Sequence, residues 1–152
     1  MFMDLVIYFF LILTFIIQIY GILTKKRSGN QYKRFLISSS VMSLILLFVL
    51  AIRIHHLLRS NFNISNSITY AVSIIPFMVY FITFRKYLLN NYSGILLISI
   101  LSMSISIILD LVSDGRLFII PYYNLIEDIL LVISIFFWFL FYFYSILKMK
   151  DN

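Results

Sequence analysis

Residues 5–24, LVIYFFLILTFIIQIYGILT, run for twenty residues without a charge, and Thr14 and Gln18 are the only strongly polar residues in the interior of the stretch. A hydrocarbon layer about 30 Å thick asks for about 20 apolar residues of helix. Backbone N–H and C=O groups in lipid must bond internally, so a spanning segment is a helix or a strand of a closed barrel. The run is continuous and does not alternate, which excludes the barrel. Asp4 precedes it with no Lys or Arg, and no small-residue cleavage site follows, so the stretch reads as a retained span and not as a signal peptide.

The same pattern recurs at about 35–58, 67–84, 95–112 and 125–147. Short polar connections separate the runs. Residues 25–34 carry Lys25, Lys26, Arg27, Lys33 and Arg34 around Gly29, residues 60–66 are rich in Asn and Ser, and Asn90, Asn91, Ser93 and Gly94 turn the chain into the fourth run. Ser113, Asp114, Gly115 and Arg116 form the last turn, and the stretch 117–123 around Pro121 is expected at the interface. Pro76 removes one backbone donor from the third run and predicts a kink near its middle. The expected fold is all-α: a polytopic membrane bundle of about five transmembrane helices, one domain over residues 1–152, with loops too short for a catalytic domain outside the bilayer.

Composition agrees. Of the 152 residues 62% are hydrophobic and 12% charged, with a mean hydropathy of +1.03, whereas a soluble domain has about a quarter of its residues charged. The absence of cysteine excludes disulfides, thiolate metal sites, iron–sulfur clusters and thiol redox chemistry. The net charge of +6 comes from short clusters beside apolar runs, a pattern suited to anionic headgroups and not to nucleic acid. With five spans, nine of the twelve basic residues fall on one side: Lys25, Lys26, Arg27, Lys33, Arg34, Arg85, Lys86, Lys148 and Lys150. Cytoplasmic loops carry the Lys and Arg excess, so the N-terminus is expected outside and the C-terminus inside, in a cell membrane.

This topology gathers Arg53, His55, His56, Arg59, Asp110, Asp114, Glu127 and Asp128 at the outer ends of spans two, four and five, with Asp4 and Arg116 at the same level. Arg53, His56 and Arg59 step by three and share a broad helix face. Two readings of Arg53 follow from its depth: it snorkels to the interface, or it faces inward and pairs with a carboxylate such as Asp110. Ser99, Ser102, Ser106, Asp110 and Ser113 make a stripe at three- and four-residue spacing, the usual signature of hydroxyls that cement helix packing in membranes. Glu127 and Asp128 open the fifth span, where the helix dipole favours acids. Adjacent histidines on a helix point about 100° apart and do not chelate together. One His with Asp110 or Asp114 and Glu127 would suit zinc, but Arg53 and Arg59 repel a cation, so no metal and no cofactor is expected. The aromatic run 136–144 reads as a belt and lipid-facing bulk.

The first span lacks the buried mid-membrane acid of the small multidrug transporters, and the serine and glutamate motifs of intramembrane proteases are missing. Short loops with the N-terminus outside resemble the membrane input regions of prokaryotic sensor proteins, without an effector domain. The pattern points to a non-enzymatic accessory, sensor or assembly module, with the bilayer and other membrane subunits or further copies as partners. The alternative is a small proton or ion transporter or channel subunit, with Asp110, His56 and Arg53 as relay or gate. Because the chain has no cysteine, single cysteines report topology cleanly: Ser28→Cys and Ser65→Cys are expected to react with an impermeant maleimide from opposite sides of oriented vesicles. Labelling of both from one side would overturn the topology.

Overall fold

Apolar runs of this length satisfy their backbones as helices, and the computed structural model, which describes residues 2–24, 30–51, 66–89, 92–114 and 122–148, is entirely α-helical over them. The helices are α1 (Phe2–Thr24), α2 (Asn30–Ala51), α3 (Asn66–Leu88), α4 (Ser93–Asp114) and α5 (Tyr123–Lys148). Four of them, all but α3, are long and apolar enough to cross a membrane. The α2 helix begins inside the expected polar turn and takes Asn30, Gln31, Tyr32, Lys33 and Arg34 into its first turns.

Side-chain contacts fix how the helices run. Between α2 and α3, Tyr32 meets Tyr87, Phe35 meets Phe84 and Ser39 meets Tyr80, so one number falls as the other rises and the pair is antiparallel. The pairs Ser99–Ser134 and Ser106–Glu127 make α4 and α5 antiparallel in the same way. Phe10 meets Phe136 while Gly21 lies against Ile146, so α1 and α5 are parallel. Among the described residues each helix packs on its neighbours in sequence, α5 returns to α1, and α3 makes the sparsest contacts of the ring.

The helices are inside out relative to those of a soluble protein. Along α1 the exposed stripe is Leu5, Phe9, Ile12, Ile16, Ile19 and Leu23, whereas the buried stripe carries Thr14 and Gln18 beside Ile7 and Leu11. On α4 Leu97, Leu101, Ile105 and Ile108 face outward and Ser99, Ser102 and Ser106 are buried. In water such an outer surface would be a continuous apolar patch far beyond what a monomer exposes. In lipid it is the solvated face.

Pro76 does not mark the break expected of it. Within α3 the residue with non-helical dihedrals is Phe84 (φ −109°, ψ 17°). The missing Pro76 N–H forfeits one backbone bond, and the helix continues through it. Phe84 lies where α3 is tied to its neighbour: its ring centroid is 5.7 Å from Phe35 and 5.5 Å from Tyr80.

Gly21 sits where α1, α2 and α5 converge. A Cβ there would lie 3.1 Å from Ile146 Cδ1 and 3.1 Å from Leu36 Cδ1. Those methyl tips can yield to one carbon but not to a branched side chain. Gly21→Val is therefore expected to lower the unfolding free energy in detergent by about 1–3 kcal/mol, the usual cost of overpacking a filled contact. Gly21→Ala should cost much less, since alanine regains helix propensity.

Candidate functional site

A hydroxyl among apolar side chains bonds either to its own helix or to a neighbour. Thr14 and Ser40 take the first course, donating to the carbonyls of Phe10 (2.7 Å) and Leu36 (3.0 Å). Others bridge helices. Ser99 Oγ donates to the Ser134 carbonyl at 2.8 Å, Ser106 Oγ to the Glu127 carbonyl at 3.3 Å, and Trp138 Nε1 to Ser43 Oγ at 3.2 Å. Two serines of the α4 stripe, Ser99 and Ser106, thus tie α4 to α5.

The deepest group joins three helices. Ser39 Oγ of α2 lies 2.6 Å from Tyr80 Oη of α3, which lies 2.7 Å from Tyr142 Oη of α5. Ser39 has one hydroxyl proton and gives it to the Phe35 carbonyl at 2.7 Å. Ser39 must then accept from Tyr80, and Tyr80 from Tyr142. The chain has a direction, Tyr142 to Tyr80 to Ser39, and it ends on a backbone carbonyl. Phe35 stacks beside it, 6.2 Å from both tyrosine rings. Gln18 is also fully buried, and neither its Nε2 nor its Oε1 has a hydrogen-bond partner among the described residues.

Spacing did not reveal this group. Within 136–144, expected to face lipid, Trp138, Phe141 and Tyr142 are buried while Phe136 and Tyr144 are exposed. A run that is aromatic all round carries no facial signal, so the tyrosine that points inward is indistinguishable in sequence from one that points out.

Of the cluster expected from sequence, Arg53, His55, His56 and Arg59 lie outside the described residues, as does Arg116. Asp110, Glu127 and Asp128 are half-buried, each has a partner, and the α4–α5 register brings them with Asp4 to one end of the bundle. Asp114 is the last residue of α4. Because α5 begins at Tyr123, its first turn holds no acid, and Glu127 and Asp128 fall one turn later than a dipole role would place them. Among the described residues no three His, Cys, Asp or Glu side chains stand together as a metal site. Between α3 and α4 a groove of about 590 Å³ is lined almost wholly by apolar side chains.

An apolar exterior, an interior held by hydroxyls and four helices of membrane-crossing length define a small all-α bundle of the membrane-protein type. The chain belongs to the family described as a domain of unknown function, DUF8692, whose model matches residues 1–145. No curated protein and no solved structure matches it.

The directed hydrogen bonds have an energetic consequence. Tyr142→Phe removes one donor, at a cost of about 0.5–1.5 kcal/mol. Tyr80→Phe removes an acceptor and a donor together and strands the Tyr142 hydroxyl, so it should cost more, about 1–3 kcal/mol. The double variant strands nothing at Tyr142 and is expected to fall well short of the sum. Unfolding of the three variants in detergent, followed by circular dichroism, checks the order; strict additivity would mean the hydroxyls act separately.

Proposed function

We propose that this protein is a non-enzymatic module of a cell membrane, an accessory, sensing or assembly subunit, with five spans, its N-terminus outside and its C-terminus inside. All five helices alternate in direction, and α3, with 23 residues, is about 35 Å long at 1.5 Å per residue, enough to cross. The basic residues Lys33, Arg34, Arg85 and Lys86 lie at one end and the carboxylates at the other, in keeping with the Lys and Arg excess of cytoplasmic ends.

The observation that carries the non-enzymatic reading is the closed hydroxyl chain at the centre of the ring. Its donors are spent on helix neighbours and finally on the Phe35 carbonyl. Polar groups consumed in this way cement packing, and a chain that ends on a backbone carbonyl has nowhere to pass a proton. Movement of protons or small ions is the second reading, and it draws on the gathering of Asp4, Asp110, Glu127 and Asp128 at one end.

Reconstitution separates the two. Liposomes containing the chain and a pH-sensitive dye are expected to dissipate an imposed proton gradient no faster than empty liposomes. Faster dissipation that Asp110→Asn abolishes would replace the module reading with the transport reading.

A further inference from the structure

The groove between α3 and α4 has a buried floor, Leu46, Ile135 and Trp138, and walls whose side chains reach the surface, Ile74 and Met78 on α3 and Ile108 on α4. It therefore opens sideways, between helices whose packing is sparse. In a bundle that lies in a bilayer such an opening meets lipid, and its dimensions and its mouth select what kind.

Length is the first constraint. On α4 the lining runs from Ser99 to Leu111, about 18 Å of helix at 1.5 Å per residue. A partner helix crossing the bilayer would need about 30 Å. Little more than half of that is the depth of a single leaflet, which one acyl chain fills.

Charge is the second. Ile74, Met78 and Phe81 line the groove, and Arg85 continues their four-, three- and four-residue spacing along α3. A step of four residues, with the non-helical Phe84 among them, therefore separates the end of the groove from a cation. Arg85 and Lys86 are both exposed there, and Lys33 and Arg34 are exposed on the adjoining first turns of α2. The Tyr32–Tyr87 ring contact, centroids 5.8 Å apart, holds the two helix ends together. The carboxylates among the described residues, Asp4, Asp110, Asp114, Glu127 and Asp128, belong to the opposite end.

We propose that the α3–α4 groove and the cations at its mouth form a binding site for one anionic phospholipid. The phosphate lies at Arg85 and Lys86, with Lys33 and Arg34 adding to the local positive potential. One acyl chain lies along the groove against Phe81, Met78 and Ile107. The site rests on the membrane reading above, and on that reading its mouth opens on the cytoplasmic leaflet, where anionic lipids concentrate.

The test uses the full chain, purified in a neutral maltoside detergent and incubated with equal amounts of phosphatidylglycerol and phosphatidylcholine carrying the same acyl chains. Native mass spectrometry then counts the lipid retained. The wild type is expected to keep phosphatidylglycerol about thirtyfold over phosphatidylcholine, the factor that two cations near an anionic headgroup supply. Arg85→Gln/Lys86→Gln should bring that preference to about twofold or less, with helix content unchanged. Ser104→Trp, at an exposed position on the groove wall, should lower retention of both lipids severalfold. Equal retention of the two lipids by the wild type, or a preference that survives the double Gln change, would overturn the site. So would a lipid-free dimer that Ser104→Trp dissociates, which would put a second copy of the chain in the groove. Failure of the membrane reading itself would look different: the chain would stay monodisperse in buffer without detergent.

Discussion

The hydroxyl of Tyr80 sits among apolar rings and is bonded on both sides. In such surroundings an unmade hydrogen bond costs far more than a made one returns, so each partner is held where the others need it. Ser39 has spent its proton on its own helix, which leaves Tyr80 only one way to orient and Tyr142 only one group to serve. This matters most for α3, whose packing elsewhere is sparse. The tie at Tyr80 and the Phe35, Phe84 and Tyr87 rings beside it anchor one half of that helix, and the groove lies along the other half. Firm attachment at one level and an opening at another are two results of the same placement.

The rest of the bundle follows a simple division of labour. Among the described residues, the fully buried polar side chains are all uncharged, and every charged side chain keeps to a helix end or its neighbouring turn. Neutral hydroxyls can be satisfied at modest cost by a carbonyl one turn back or by a facing helix. A charge at mid-depth would have to bring its counter-charge with it. Among the described residues the fold therefore puts specificity of packing into serine and tyrosine and leaves Lys, Arg, Asp and Glu to the helix ends.

Much of this was legible from residue order. Uninterrupted apolar runs announced helices, and the spacing of Ser99, Ser102 and Ser106 announced a face, because a small hydroxyl in an apolar helix has few other uses. The joint of α1, α2 and α5 was not legible. Gly21 stands alone, without the paired glycines that signal close crossings, and its neighbours Leu36 and Ile146 lie far off in sequence. Tyr80 and Tyr142 were hidden for another reason: tyrosine serves equally at a headgroup and in a core, and only the packing of distant helices tells the two apart. Pro76 misled in the opposite direction. A single lost bond is a local signal, and the non-helical dihedrals of α3 lie at Phe84 instead.

The parallel pairing of α1 with α5 bears on how the protein is made. Four helices are synthesised before α5, yet the joint at Gly21 and the ring contact of Phe10 on α1 form only when α5 docks beside it. Until then that face of α1 is open on one side. A chain cut short before Tyr123 would leave that face of α1 uncovered.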